Sequence, residues 1–124
     1  MVDAYIVEDH EDMRLILKRF LTRKLEGVRV VGECHSAEEA LVEIPRLRPR
    51  IVLVDISLPG MDGLELIRRL RFHSHAFWIL VVTGHEVELY RHKALEAGAN
   101  EIVSKEDLGR MVTILRTHLA HLSA

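Results

Sequence analysis

Five short apolar runs alternate with amphipathic helical patterns, and each run feeding an inward turn ends on a polar or charged residue. Ala4 to Val7 runs into Glu8 and Asp9. Val28 to Cys34 carries Val28, Val30 and Val31 between polar residues. Ile51 to Val54 runs into Asp55, Phe77 to Val82 into Thr83, and Ile102-Val103 into Ser104 and Lys105. Continuous β-branched runs of four to six residues are the mark of strands buried on both faces. Strict strand–helix alternation predicts an α/β, three-layer, doubly wound domain: a five-stranded parallel sheet covered on both sides by five helices. In such a sheet all strand C-termini lie on one edge, where open α/β folds bind ligands.

The intervening segments read as helices with recognisable ends. Met13, Ile16, Leu17, Phe20 and Leu21 form an inward stripe, with Asp12 placed to cap its start. Ser36 to Glu39 is a capping box opening the second helix, whose exit is bracketed by Pro45 and Pro49. Asp62 with Glu65 opens the third, with Leu64, Ile67 and Leu70 inward. The fourth runs from about Glu86 to Ala97 and stops at Gly98; its apolar face is thin, comprising Val87, Tyr90, Ala94 and Ala97. The last carries Leu108, Met111, Val112, Leu115, Leu119 and Leu122. No repeat or linker interrupts the pattern, so residues 1–124 read as one domain.

Composition narrows the function. A formal net charge of −2 argues against nucleic-acid or anionic-membrane binding by this chain. No apolar run approaches the ~18 residues a bilayer span needs, and the acidic N-terminus is unlike a secretory signal. Cys34 is the lone cysteine, which excludes an intrachain disulfide and reads as a small residue at a strand end. Together these features predict a cytoplasmic protein. His73, His75, His92, His118 and His121 read as surface residues, and Trp78 as packing.

Glu8, Asp9, Asp55, Thr83 and Lys105 converge on the sheet edge in this topology. Like charges ~4 Å apart at an effective dielectric of ~20 repel by about 4 kcal/mol, more than one lysine offsets for three carboxylates. A hard divalent cation does offset it, which makes Glu8, Asp9 and Asp55 a candidate Mg²⁺ site. A carboxylate there can also act as a nucleophile toward phosphorus. Lys105 and the Thr83 hydroxyl would then hold phosphoryl oxygens.

Val7 to His10 (VEDH), Val54 to Leu70 (VDISLPGMDGLELIRRL), Val81 to His85 (VVTGH) and Leu95 to Lys105 (LEAGANEIVSK) resemble the receiver domain of two-component response regulators along essentially the whole chain. The resemblance implies the flavodoxin-like strand order 2-1-3-4-5, for which the family itself supplies a standard example. It implies phosphotransfer to Asp55 from a sensor histidine kinase or phosphotransfer protein. Asp9 would be the more direct metal ligand of the acidic pair, and the Ser57 carbonyl would complete the shell. Ser57 and His85 occupy the two positions that flank the phosphoryl group and set its lifetime.

Output would leave through the fourth helix, fifth strand and fifth helix, with Leu89, Lys93 and Glu96 as candidate contacts. The target is a partner in trans, a DNA-binding domain outside this chain, or a homodimer formed on phosphorylation. Such a domain is a signalling switch rather than a turnover enzyme. Two residues depart from the family pattern. Ile102 stands where many members carry a mobile aromatic, and a branched aliphatic cannot swing as a large lever. Glu106 replaces the proline that often follows the lysine, which removes the reason for a cis bond. The rival reading is a receiver-like interaction module that is never phosphorylated. A phosphatase using an Asp-x-Asp pair is disfavoured by Ser57 at the second position.

Overall fold

The computed structural model describes residues 1–123, with side chains through Leu122. The elements in order are β1 (Val2–Val7), α1 (Glu11–Arg23), β2 (Val28–Cys34), α2 (Ala37–Leu47), β3 (Ile51–Val54), α3 (Gly63–His73), β4 (Trp78–Thr83), α4 (Val87–Ala97), β5 (Glu101–Ser104) and α5 (Leu108–Ser123). The strands form one sheet in the order β2-β1-β3-β4-β5, every pair parallel. Val7 pairs with Val54, Val54 with Val81, and Thr83 with Ser104. These registers line up the strand ends that carry the polar residues.

Alternating strand side chains feed two separate cores. Tyr5, Val7, Val52, Val54, Ile79, Val81 and Ile102 face α2, α3 and α4. Ala4, Ile6, Ile51, Leu53, Leu80, Val82 and Val103 face α1 and α5. β3 is buried at every position because both faces are covered. β2 is the polar edge strand that the sequence suggests; its pairing with β1 slips at Ala4/Tyr5, so that Val31 is passed over.

Helix ends follow the sequence signals in most places. The Ser36 side chain accepts from the Glu39 N–H at 3.3 Å, and Asp62 from the Glu65 N–H at 2.9 Å. Gly98 closes α4 at φ 119°, a conformation open to glycine at little cost. Asp12 does not cap α1. The cap position is His10, whose side chain makes no capping bond, and Asp12 lies in the first turn beside Glu11. Ile16 is exposed rather than inward; Leu17 and Leu21 are buried against the sheet, with Met13 and Phe20 packed beside them.

The exit of α2 falls between Pro45 and Pro49, as the sequence suggests. The helix continues to Leu47, and Arg48 N–H closes the final turn onto the Ile44 carbonyl at 2.8 Å. A proline this near a C-terminus removes only one helical hydrogen bond. Strand bounds shift by one or two residues: β1 begins at Val2, and β4 runs Trp78–Thr83 rather than from Phe77.

Candidate functional site

Backbone pairing at the sheet edge sets the site. Asp55 N–H continues the β3 ladder onto the Val7 carbonyl at 3.0 Å, and Glu8 N–H bonds to the Cys34 carbonyl at 3.1 Å. Lys105 N–H reaches the Thr83 carbonyl at 2.8 Å. Glu8, Asp55 and Thr83 are the charged or polar residues buried among the described residues, at 1%, 3% and 0% exposure. All three stand at strand C-termini.

Lys105 Nζ bridges the carboxylates, 2.8 Å from Glu8 Oε1 and 3.0 Å from Asp55 Oδ2. Burial alone would lower its pKa, but hydrogen bonds to Glu8 and Asp55 raise it above the ordinary lysine value. Burial pushes Glu8 up, yet Lys105 and the His10 N–H outweigh it and hold the carboxyl below its usual range. Asp55 goes the other way: burial and the neighbouring Glu8 charge raise it despite Lys105.

Glu8, Asp9, His10 and Asp55 each bring one ligand atom within 4.8 Å of the others. Asp9 Oδ1 and Glu8 Oε1 are buried without a hydrogen-bond partner, the first meeting only His10 Nδ1 at 3.2 Å and the second only Lys105 Nζ. A buried carboxylate oxygen left unpaired is costly unless a cation completes it. The donor set of clustered carboxylates fits a hard divalent ion.

Of the remaining positions singled out in the sequence, Ser57 Oγ and His85 Nε2 lie 2.6 Å apart across the mouth of the site. Ser57 N–H donates to Asp55 Oδ1 at 3.2 Å, and His85 N–H donates to Thr83 Oγ1 at 3.0 Å. Ile102 is not at the mouth. It is 1% exposed within the core that includes Val81 and Ala94. No cis bond occurs among the described residues, including the one after Lys105. Leu89, Lys93 and Glu96 are all exposed on α4.

Three neighbours of the site escape sequence reasoning. His10 Nδ1 sits 3.1 Å from Glu8 Oε2 and 3.2 Å from Asp9 Oδ1. The Arg14 guanidinium donates to the Glu8 carbonyl at 2.7 Å. Gly63 opens α3 directly against the Asp55 backbone, where a Cβ would lie 2.9 Å from the Asp55 carbonyl carbon and from Ile56 Cα. His10 follows the acidic pair in sequence and could have been found; Gly63 needed the packing. Away from the site, His118 is not a free surface residue: its ring stacks on Trp78 at 4.3 Å and 15°.

The family model for the response regulator receiver domain matches residues 4–116. The chain belongs to the response regulator receiver domain family. Among receiver-containing relatives, response regulator GacA of Pseudomonas protegens is 33% identical over 94% of this chain and 54% of its own length. Transcriptional activator protein ExaE of Pseudomonas putida is 42% identical over 81% of this chain and 46% of its own. This receiver domain thus spans about half the length of those relatives. A crystal structure of a LuxR-family two-component response regulator from Aurantimonas sp. SI85-9A1 superposes with TM-score 0.89 at 34% identity, covering 98% of this chain and 86% of that one. Among the described residues no helix is long and apolar enough to cross a membrane.

Proposed function

We propose that the chain, residues 1–124, acts as a phosphorylatable switch with Asp55 as the acceptor. An Asp55 carboxylate oxygen attacks the phosphorus of a phosphohistidine. The P–N bond breaks, the imidazole leaves with its electron pair and takes up a proton, and an acyl phosphate remains on Asp55. The single observation carrying this reading is the placement of Asp55: buried, raised in pKa, and held at both oxygens by Ser57 N–H and Lys105 Nζ. Fixed donors of this kind position a nucleophile and meet developing phosphoryl charge.

Glu8, Asp9, Asp55 and the Ser57 carbonyl would hold Mg²⁺, which when bound neutralises charge between the carboxylates and the incoming phosphoryl group. Lys105 remains to pair with a phosphoryl oxygen, and the Thr83 hydroxyl donates to another. Hydrolysis returns the carboxylate and inorganic phosphate when water attacks phosphorus and the acyl oxygen leaves. Ser57 and His85, bonded across the opening, control that water, so replacing both is expected to change the hydrolysis rate; an unchanged rate would remove them from this role.

The donor is a sensor histidine kinase or phosphotransfer protein, and the setting is cytoplasmic. The output surface is α4, β5 and α5, acting on a separate partner, a homodimer or a DNA-binding domain. The relatives described as transcriptional activator and LuxR-family regulator support the last of these. The chain itself is a signalling element that catalyses only its own phosphorylation and dephosphorylation. Acetyl phosphate with Mg²⁺ should add one phosphoryl group to the intact mass of the wild type and none to Asp55→Ala. Equal labelling of both would refute the assignment; no label on either would favour the interaction-only reading.

A further inference from the structure

The loop after β4 reaches α4 through one imidazole. His85 is tied to the sheet edge twice, by its N–H to Thr83 Oγ1 and by its ring Nε2 to Ser57 Oγ. Ser57 in turn holds Asp55 Oδ1 through its N–H. On its other side the His85 ring meets Tyr90, centroids 5.1 Å apart at 44°. Tyr90 lies in the first turn of α4 and is half-buried against the core. A continuous run of contacts therefore joins the Asp55 carboxylate to the helix.

The first half of α4 has little else to hold it. The buried residues of the helix, Ala94 and Ala97, are both in its second half and bury little surface. Glu86, at the cap position, makes no side-chain capping bond, and Leu89 is 68% exposed. Val87 and Tyr90 are the apolar side chains of the first turn packed on the core. Segments with so few buried contacts open at low free energy. Ile102 offers no alternative path, being β-branched, stiff at χ1 and locked in that core.

The geometry points to His85 and Tyr90 as the lever that carries the state of Asp55 into the N-terminal half of α4. This rests on the reading that Asp55 is phosphorylated. A phosphoryl group brings new acceptor oxygens beside Ser57 and Thr83. When the Thr83 hydroxyl turns to donate to one of them, its oxygen no longer faces the His85 N–H as before. The Ser57 hydroxyl faces the same competition with His85 Nε2. The imidazole is released from the sheet edge, Tyr90 loses its ring contact, and the first turns of α4 repack.

Hydrogen exchange of α4, read by mass spectrometry with and without acetyl phosphate and Mg²⁺, tests this in wild type, Tyr90→Leu and Tyr90→Phe. Intact mass reports the labelled fraction in each sample. At equal label, exchange in the first two turns should change at least about fivefold in wild type and Tyr90→Phe, which keeps the ring, and under about twofold in Tyr90→Leu. A Tyr90→Leu response equal to wild type, or an unmoved α4 in fully labelled wild type, would overturn the lever. Absence of label on wild type would overturn the phosphorylation reading, and the lever with it.

Discussion

Replacing Asp55 with asparagine should stabilise the fold while abolishing its chemistry. Asp55 is 3% exposed, and its carboxyl is raised by burial and by the Glu8 charge. A raised acid binds its proton more tightly in the folded state, so its contribution to stability is present below the ordinary carboxylate range and lost as pH rises through the folded value. At neutral pH the ionised group is therefore a liability. Each charge contact here is worth about 4 kcal/mol at an effective dielectric of ~20, and Lys105 offsets most but not all of the Glu8 repulsion and the desolvation. A net gain of about 1 kcal/mol is expected for Asp55→Asn, or roughly 3–6 °C in Tm for a chain of this size. The carboxamide keeps an acceptor for Ser57 N–H, and the Lys105–Glu8 pair survives. Thermal unfolding in EDTA at pH 7 should show the gain, and at pH 4 the gap should narrow. Added Mg²⁺ should reverse the order, because a ligand at 100 times its Kd adds about 2.7 kcal/mol to the wild type alone. A variant less stable than wild type in EDTA would refute the charge accounting.

Gly63→Ala should lower Tm by about 5–15 °C, since the Cβ meets the Asp55 carbonyl group rather than a movable side chain. Gly109→Ala, whose nearest contact is Asp107 Oδ1 at 3.8 Å, should instead gain up to about 1 kcal/mol from helix propensity; equal effects of the two would discredit the steric reading. Arg71→Met strands the Gly98 and Phe77 carbonyls, while the Asn100 amide oxygen keeps only the Ile79 N–H, and urea unfolding should show a loss of about 2–3 kcal/mol. His118 is held below the ordinary histidine value by burial, Arg50 and His121, with Glu101 lining the same groove. Its contribution to stability is full above about pH 6.5 and falls away as pH drops through the folded value. An NMR titration should place its midpoint below that of a free imidazole and higher again in Arg50→Gln.

The sequence carries most of the fold because patterns of burial and alternation are local, whereas parallel order turns them into one shared edge. Asp55, Glu8, Thr83 and Lys105 are legible for that reason: each directly ends or follows an apolar run. Ile16 is exposed because a helical stripe drawn from spacing alone is wider than the face that Met13, Leu17, Phe20 and Leu21 present to the core. The exit of α2 at Leu47 is legible because Pro45 and Pro49 stand on either side of it. Gly63 and Arg14 act on backbone groups, those of Asp55 and Glu8, across a turn, and no spacing rule names such partners. Stacking of His118 on Trp78 joins α5 to β4 across forty positions with no periodic signal.

Reduction with borohydride after acetyl phosphate treatment tests the central claim most directly. An acyl phosphate is converted to an alcohol, so a phosphorylated aspartate becomes homoserine and is located by peptide mass. Homoserine at position 55, dependent on Mg²⁺ and absent without the phosphodonor, is the expected result. Homoserine at Asp9, the five-carbon alcohol that reduction of Glu8 would give, or an unmodified Asp55 in protein that has gained phosphoryl mass, would contradict the assignment of this carboxylate as the acceptor.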